Sequence, residues 1–305
     1  MGFDTDTLRL FIRAAEMLNI SAAGRALGMA PAVSSAKLAK LEKALGAELL
    51  HRTTRKVSLS TEGADFLPFV REIIAQEDAA MFALGKQSTS VRGTLRFAAP
   101  STFAQIYIAP ILPRFLDRHS DLSLDLRLSD VRFDLIEGSY DLALRNAPLF
   151  DTSLKGRKLA DDRRVLCAAP HYLETHRVPK SPADLTRHRL IAFQDRQPRL
   201  LKNAEGKEAV FDPIASKGQL IIDDGQSQIR ATLAGAGISL NALWSVHEYL
   251  KSGRLVQILP GYEAAERNVL WLIYPRSNVL SPKVRVFIDF LIEEIGRNPP
   301  WEASD

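Results

Sequence analysis

Cysteine is almost absent from this sequence. The 305 residues include one, Cys167, so a disulfide within the chain and a metal site built from several thiolates are both excluded. Cys167 lies in the apolar run Val165-Leu-Cys-Ala-Ala, which favours a small buried side chain over a reactive thiol. A single cysteine also fits a reducing compartment.

Long hydrophobic runs are missing as well. No stretch reaches the roughly 18 apolar residues that a membrane helix needs, and the longest candidate, Ala231 to Trp244, is interrupted by Asn241. The first residues, MGFDTD, are acidic and lead directly into an amphipathic pattern, unlike a signal peptide. We therefore expect a cytoplasmic protein with no membrane partner.

The motifs of common enzymes and metal sites are incomplete or absent. The segment that begins at Gly225 lacks the closing glycine of a nucleophile elbow, and the one that begins at Gly235 lacks the third glycine of a dinucleotide fingerprint. No GKS or GKT occurs. The histidines have no metal-ligand spacing: they are His51, His119, His171, His176, His188 and His247. We predict no enzymatic activity, no cofactor and no metal.

The excess positive charge is confined to the N-terminal fifth of the chain. Residues 1–60 contain nine Lys and Arg against five Asp and Glu, whereas the rest of the chain contains 31 of each kind. The whole net charge of +4 therefore lies where a polyanion would bind.

That basic segment has the pattern of a helix-turn-helix motif. Apolar residues recur at helical spacing from Asp6 to Leu18 and predict a bracing helix. Ser21 has a side chain suited to capping the next helix, Gly28 supplies a turn, and Pro31 suits the first position of a further helix. Two helices joined by a short turn that contains Gly are typical of this DNA-binding motif.

The second helix of the motif predicts a DNA-reading face. Leu38, Leu41 and Leu45 share the side to be buried, and the N-terminal residues of such a helix approach base edges. Small apolar side chains there contact thymine methyl groups but form no hydrogen bonds with bases, while lysines bind phosphates. The predicted DNA contacts in the two helices are Ser21, Arg25, Ala32, Val33, Ser35, Ala36, Lys37, Lys40 and Lys43.

A small basic hairpin follows. Leu49, Leu50, Val57 and Leu59 alternate around a basic tip and predict two short strands, a wing beside the helices. Arg52, Thr53, Arg55 and Lys56 would hold the DNA backbone or enter the minor groove.

A long helix and then a change of architecture come next. Ser60-Thr61-Glu62 is a helix start signal, and the apolar stripe of the helix needs a partner, which an antiparallel copy would supply. The predicted dimerisation residues are Phe66, Val70, Ile73, Met81 and Leu84. After the polar linker near residue 90, strands alternate with helices, a pattern typical of parallel sheets. The predicted strands are Leu95–Ala98, Leu122–Leu128, Asp141–Leu144, Arg163–Ala168, Arg189–Phe193, Lys217–Ile222, Gly237–Leu240 and Val269–Tyr274.

We divide the chain accordingly. Residues 1–60 form a winged helix-turn-helix domain and residues 61–90 a linker helix for dimerisation. Residues 91–305 form a two-lobed α/β domain with a cleft, in which lobe I spans about 91–162 and 266–298 and lobe II about 163–265. A helix from Pro282 to Ile295 closes the fold, and Asn298 to Asp305 should be frayed.

The sequence resembles the LysR-type transcriptional regulators over essentially its full length. The matching residues in the N-terminal part are Leu10-Phe11, Ala22-Ala23, Leu27-Gly28, Ser35, Leu41-Glu42, Leu45-Gly46, Arg52-Thr53, Leu59 and Glu62-Gly63. Further along they are Gly93-Thr-Leu-Arg, Asp134-Leu-Ile-Glu-Gly, Asp141-Leu-Ala-Leu-Arg, Pro182-Ala-Asp-Leu and Ala234-Gly-Ala-Gly-Ile, and Ser129-Asp130 resembles one large subgroup. Two departures stand out: Ala30 replaces the usual capping Ser, which costs about 1 kcal/mol of helix stability, and Ala36 replaces a frequent Arg.

The resemblance implies a homodimer or homotetramer that binds promoter DNA, contacts RNA polymerase, and holds a small effector between the lobes of a periplasmic-binding-protein-like domain. The residues support an effector site: helix starts favour anions, and strand ends in open α/β sheets bind ligands. The candidates for a small carboxylate are Ser101, Thr102, Asp130, Arg145, Asn146, Gln226 and Ser227. Asp130 would repel an anion unless it is paired, and Ser101 and Arg145 have structural alternatives as a helix cap and an ion pair.

Two other classes of protein remain open at this stage. A two-lobed solute-binding protein would need export and would have no use for residues 1–60. An architectural DNA-binding protein without an effector would leave more than 200 residues of cleft-forming domain without a role.

Overall fold

The structure, a computed structural model, describes residues 4–52, 57–84, 91–129, 140–148, 156–216, 218, 220–274 and 280–302. They form two compact units, one from residues 1–90 and 277–285 and the other from 91–276 and 286–305. Among these described residues, no helix is both long and apolar enough to cross a membrane.

The N-terminal unit is a winged helix-turn-helix. Its helices are α1 (Thr5–Met17), α2 (Ile20–Ala26), α3 (Pro31–Leu45) and α4 (Thr61–Ala83), and its wing pairs β1 (Leu50–Arg52) with β2 (Val57–Leu59). The two strands are antiparallel, with Leu50 opposite Leu59. Leu8, Phe11, Leu38 and Val70 are buried in one core, because the apolar faces of α1, α3 and α4 meet there.

The local signals around α2 and α3 are partly as predicted. Gly28 has a φ of 70°, a left-handed conformation that glycine adopts readily, and α3 begins at Pro31 after Ala30, which makes no side-chain cap. The predicted cap at Ser21 is wrong. Asn19 caps α2 through its side chain, which accepts a hydrogen bond from the backbone N–H of Ala22, because α2 begins one residue before Ser21.

Lobe I of the C-terminal unit is a five-stranded sheet. Its strands are β3 (Gly93–Ala99), β4 (Leu122–Leu128), β5 (Leu142–Pro148), β6 (Gly156–Asp162) and β14 (Asn268–Ile273), in the order β4-β3-β5-β14-β6. A helical run crosses from β3 to β4 as α5 (Ser101–Phe103), a π turn (Ala104–Ile108), a 3₁₀ turn (Ala109–Ile111) and α6 (Leu112–Arg118). Phe97 packs against Phe287 of α10 (Pro282–Leu291) with ring centroids 5.1 Å apart, and a π turn (Ile292–Gly296) continues that helix.

Lobe II is a seven-stranded sheet. Its strands are β7 (Arg164–Ala168), β8 (Leu190–Phe193), β9 (Arg199–Asn203), β10 (Glu208–Phe211), β11 (Ile221–Ile222), β12 (Ile238–Ala242) and β13 (Val256–Ala264), in the order β10-β9-β13-β7-β12-β8-β11. The helices are α7 (Pro170–His176), a 3₁₀ turn (Pro182–Arg187), α8 (Gly225–Leu233) and α9 (Leu243–Lys251). The chain passes from lobe I to lobe II between β6 and β7 and returns between β13 and β14.

The sheets are mixed rather than purely parallel, which corrects the prediction. β3 is parallel to β4 and β5, but β14 is antiparallel to both β5 and β6, and β12 is antiparallel to β7. Only the strands joined by helical crossovers must be parallel. β14 enters lobe I from the other lobe, so no crossover sets its direction.

Three strands in lobe II were not predicted: β9, β10 and β13. β9 and β10 carry charged residues at Arg199, Lys202 and Glu208 and pair with each other antiparallel. Within the predicted strand Lys217–Ile222, Ile221–Ile222 forms β11, and Lys217 and Gln219 lie outside the described residues. β9 and β10 form a local hairpin whose charged residues are unfavourable in strands. β13 forms by pairing with the distant strands β7 and β9, which local composition does not reveal.

The predicted fraying of the C-terminus is wrong as far as residue 302. Trp301 is 5% exposed, and its ring packs edge-on against Tyr107, with centroids 4.8 Å apart, and against Phe103 at 6.0 Å. Burial of so large an aromatic side chain fixes the segment. Residues 303–305 lie outside the described residues.

Candidate nucleic-acid interface and effector site

α3 presents the face that the sequence predicted for DNA. Leu38 and Leu41 are buried, whereas Ala32, Val33, Ala36, Lys40 and Lys43 are exposed, and Ser35 and Lys37 are half-buried. On α2, Arg25 is exposed and Ser21 half-buried. The exposed N-terminal part of α3 is therefore apolar and small, and its cations lie further along the helix.

Ser34 is a structural residue that the sequence analysis missed. It is fully buried and donates a hydrogen bond of 3.0 Å to the carbonyl oxygen of Ala30. A Cβ atom on Gly24 would lie 1.9 Å from Ser34 Oγ, so α2 and α3 cross where both residues are small. In the sequence, this close contact between the helices is indicated only by the small residues Gly24 and Ser34, ten positions apart.

Two of the predicted DNA-binding cations are paired with acids. Lys37 Nζ lies 2.8 Å from Asp4 Oδ2, and Arg52 binds Glu42 Oε2 at 2.6 Å. Glu42 Oε1 also accepts hydrogen bonds from the backbone N–H groups of Leu49 and Leu50, so this acid fixes the start of the wing. Thr53, Arg55 and Lys56 lie outside the described residues.

The predicted dimerisation stripe on α4 divides into two faces. Val70 is fully buried and Phe66 is half-buried in the core of the N-terminal unit, where Phe66 lies 6.1 Å from Phe11 between ring centroids. This corrects the prediction for Val70, which is not accessible to a partner. Ile73, Met81 and Leu84 are exposed.

A further residue, Phe69, belongs with the exposed face of α4. Its side chain is 64% exposed, and it precedes Ile73 by four residues, so the two lie on neighbouring turns of one side of the helix. Phe69 was not predicted because the predicted stripe runs through Phe66 and Val70, on the adjoining side of the helix that faces the core.

In the C-terminal unit, two helix starts from different lobes meet. Ser101 Oγ of α5 lies 3.5 Å from Asp224 Oδ2, just before α8, and a Cβ atom on Gly225 would lie 2.8 Å from Thr102 Oγ1. The predicted neighbours Ser101, Thr102, Gln226 and Ser227 are thus brought close together. Asp224 caps α8 through a 2.7 Å hydrogen bond from the backbone N–H of Ser227, so that N–H is already occupied by a carboxylate of the protein.

Arg145 and Asn146 lie on β5 but point to opposite faces of the sheet, because successive strand residues alternate. Arg145 is half-buried and opposite Trp271 of β14. The Asn146 amide donates to Asp162 Oδ2. Asp130 lies outside the described residues.

Thr102 and Gln228 stand out because each has a buried polar atom with an unmet hydrogen bond. Both residues are 3% exposed, and neither Thr102 Oγ1 nor Gln228 Nε2 has a hydrogen-bond partner among the described residues. Most buried polar atoms in proteins are paired. Thr102 was predicted from the sequence as a site residue, whereas Gln228, which follows the start of α8 by one turn, was not.

Gln228 lines a small cavity in lobe II. The cavity has a volume of about 30 Å³, comparable with the space of one water molecule. Its wall includes the cations Arg164 and Arg199, Asp195, and the apolar Phe193 and Leu240. Arg199 is paired with Asp195 at 2.9 Å, and Arg164 lies 3.4 Å from Asp162.

Two family descriptions match this chain. Residues 5–64 match "Bacterial regulatory helix-turn-helix protein, lysR family", and residues 88–296 match "LysR substrate binding domain". Together they cover both units of the fold.

Individual proteins are similar over nearly the whole chain. An HTH-type transcriptional regulator of Xanthomonas campestris is 30% identical, covering 97% of this chain and 86% of that protein. The HTH-type transcriptional regulator DmlR of Escherichia coli is 31% identical, covering 96% and 95%. The solved structure of CrgA, a LysR-type transcriptional regulator from Neisseria meningitidis, has a TM-score of 0.61 and 27% identity, covering 97% of this chain and all of that one.

Proposed function

The chain belongs to the LysR family of transcriptional regulators, and from this premise we propose that its DNA binding is controlled by a small carboxylate bound between lobes I and II. DNA binding and an effector domain follow from the family itself. The resemblance found in the sequence is thereby confirmed, as is the fold of a helix-turn-helix domain followed by a two-lobed domain. The family does not specify the chemical class of the effector, and a small carboxylate is what we propose.

The observation that carries this proposal is that Thr102 Oγ1 and Gln228 Nε2 are buried without a hydrogen-bond partner in the described part of the chain. An amide N–H is only a donor, and a hydroxyl group is both donor and acceptor, so a ligand with acceptor oxygens would satisfy both. Leaving such a group unpaired costs about 1–3 kcal/mol, which ligand binding would recover. A carboxylate offers two acceptor oxygens and would attract Arg164, which lines the same cavity as Gln228. Arg145 is a further candidate cation from lobe I.

Asp224 restricts where the carboxylate can bind. Because its side chain already caps α8, the negative charge of a ligand would be repelled from that helix start. The effector would instead approach the unpaired polar atoms of Thr102 and Gln228 rather than the backbone N–H groups of Gln226 and Ser227.

Calorimetry would test the effector class. A thermal-shift screen of small mono- and dicarboxylates comes first, followed by titration of the best ligand into wild type, Thr102→Val and Arg145→Ala. Thr102→Val removes a hydroxyl that has no partner among the described residues, so the unliganded protein should keep its stability while the affinity falls by about tenfold, the loss of one hydrogen bond. Thr186→Val, at an exposed position, is the matched control. Undiminished affinity in Arg145→Ala would remove Arg145 from the site.

We propose a dimer, assembling further to a tetramer, as the DNA-binding form. The exposed apolar residues Phe69, Ile73, Met81 and Leu84 of α4 provide a face for a second copy. A dimer reads half-sites about 34–36 Å apart or at multiples of that spacing. We also propose that the protein contacts RNA polymerase at the promoter and that it is located in the cytoplasm.

The effector would act through the lobes. Closure of the cleft changes the surface that each effector domain offers its neighbours in the oligomer, and this shifts the spacing of the DNA-binding pairs. DNase footprints with and without the effector test the coupling, since an identical extent and identical bending in both would contradict it.

The base-reading surface of α3 is chemically simple. Its exposed residues Ala32, Val33 and Ala36 suit thymine methyl groups rather than hydrogen-bonded recognition. We therefore propose that specificity depends on the wing, on DNA shape and on the pairing of copies.

A further inference from the structure

Asp4, the N-cap residue of α1, forms an ion pair with Lys37 of α3, the helix proposed to read DNA. Asp4 precedes α1 and Lys37 lies in the middle of α3, 33 positions later, yet Lys37 Nζ is 2.8 Å from Asp4 Oδ2. Both side chains remain in contact with solvent, Lys37 at 34% and Asp4 at 53% exposure. The contact is therefore at the surface, where a DNA phosphate could compete for the same ammonium group.

Lys37 differs in this respect from its neighbours on α3. Lys40 and Lys43 are exposed and form no ion pair with any residue in the described part of the chain. Arg52 is paired as well, but its partner Glu42 also holds the backbone of the wing. Among the described residues, the Asp4 side chain bonds to the backbone only in the first turn of α1, so its contact with α3 is not needed to fix the wing.

The carboxylate of Asp4 is held in its charged form. It accepts hydrogen bonds from Lys37 Nζ, from Thr7 Oγ1 at 2.7 Å and from the backbone N–H of Asp6. These bonds, that of Lys37 foremost, lower the pKa of Asp4 to about 2. The negative charge therefore persists at every pH at which the protein would bind DNA, and it lies beside a helix that must approach phosphates.

From this geometry we infer that Asp4 limits the DNA affinity of each copy by holding Lys37 away from the phosphate backbone. The inference rests on the DNA-binding role of α3. A bound phosphate must either displace the carboxylate or leave Lys37 unused. A single DNA-binding domain then binds weakly, and stable binding depends on several domains acting together.

A variant that keeps the helix cap isolates this effect. Asn caps helices about as well as Asp, so Asp4→Asn removes the charge while α1 keeps its N-cap. Asp6→Asn is the matched control, because it removes the same charge in the first turn of α1 and Asp6 makes no hydrogen bond to Lys37. Lys37→Met, alone and combined with Asp4→Asn, completes a double-mutant cycle.

The measurement is fluorescence anisotropy of a labelled random-sequence duplex of roughly 30 base pairs with the full-length protein, between about 50 and 200 mM salt. Each phosphate neutralised contributes about −0.9 to the slope of log K against log salt. Asp4→Asn should bind about three- to tenfold tighter at the lowest salt, with a slope steeper by about one per bound protomer. Asp6→Asn should change the affinity less than about twofold, since Asp6 acts on Lys37 only through space and exposed charges that are not in contact couple weakly.

The cycle supplies the decisive comparison. In the Lys37→Met background, Asp4→Asn should raise the DNA affinity no more than Asp6→Asn does. Equal gains with and without Lys37, or no gain in Asp4→Asn at all, would overturn the inference. A wild-type protein that bound the duplex without any salt dependence would instead contradict the DNA-binding role itself, so the two failures are distinct.

Discussion

Trp244 donates a hydrogen bond of 2.7 Å from its indole nitrogen to Oδ1 of Asp162, and this bond joins the two lobes beside the point where the chain first crosses between them. Asp162 ends the last strand of lobe I before the crossover, and Trp244 lies in the first turn of α9 in lobe II. The carboxylate is 3% exposed, and its second oxygen accepts from Asn146 of lobe I. Asp162 is therefore a buried junction between the lobes.

Replacement of Trp244 by Phe should destabilise this junction. The change keeps an aromatic ring against Phe103, now 5.1 Å away between centroids, but leaves a buried carboxylate without one donor, which costs about 1–3 kcal/mol. Urea denaturation followed by far-ultraviolet circular dichroism measures the loss. Trp271→Phe is the control, because its indole nitrogen has no partner among the described residues; an equal loss in both variants would contradict the role of the hydrogen bond.

Gly225→Ala should push α5 and α8 apart. The new Cβ would lie 2.8 Å from Thr102 Oγ1, closer than such contacts allow, and overpacking of this kind costs about 1–3 kcal/mol. Gly261→Ala, where no atom lies within 4 Å of the added Cβ, should change stability by less than about 0.5 kcal/mol.

A second substitution identifies the cause of that loss. Combining Gly225→Ala with Thr102→Ala removes the clashing oxygen, so the double variant should be more stable than the sum of the two single effects predicts. Simple additivity in thermal melts would show that the clash is not with Thr102.

Cys167 should be inert in the folded protein. It is fully buried, and burial raises the pKa of its thiol to about 11, so roughly one molecule in a thousand carries the thiolate at pH 8. A chromogenic disulfide reagent should react with Cys167 only after unfolding by urea; rapid reaction of the native protein would contradict this account.

The same thiol makes stability depend on pH in the alkaline range. A folded-state pKa raised above the ordinary value means that the folded protein holds its proton more tightly. The resulting stabilisation is complete below about pH 9 and is lost as the pH rises towards 11. Cys167→Ala should flatten that part of the stability curve, and urea titrations at several alkaline pH values measure it.

Phe69→Glu should weaken self-association without unfolding the N-terminal unit. Phe69 is exposed on α4 whereas the adjacent Val70 is fully buried, so the charge falls on the face that we propose for a second copy and leaves the core intact. Analytical ultracentrifugation should show smaller species at an unchanged melting temperature. Val70→Ala, which opens a cavity in the core, should instead cost about 2 kcal/mol or more of stability.

Local signals predicted the N-terminal unit well. The burial of Leu38 and Leu41, the turn at Gly28 and the start of α3 at Pro31 all follow from periodicity and backbone preference within a few residues. The cap of α2 was misplaced by two residues because Asn19 and Ser21 are both good caps, and only the hydrogen bond to Ala22 distinguishes them. Prediction was weaker in lobe II, where the charged segments β9 and β10 become strands by pairing with each other.

The sequence alone determined that this protein is a helix-turn-helix regulator with a two-lobed domain, because motif spacing, glycine and proline positions and the confined positive charge are all properties of neighbouring residues. Tertiary structure decided which of those residues are available. It paired Lys37 with Asp4, bonded Asn146 to Asp162 and buried Val70. It also left Thr102 Oγ1 and Gln228 Nε2 without a hydrogen-bond partner among the residues that the structure describes. The physical reason is that a hydrogen bond or ion pair depends on distances between atoms that the chain brings together from remote positions, and periodicity contains no such distances.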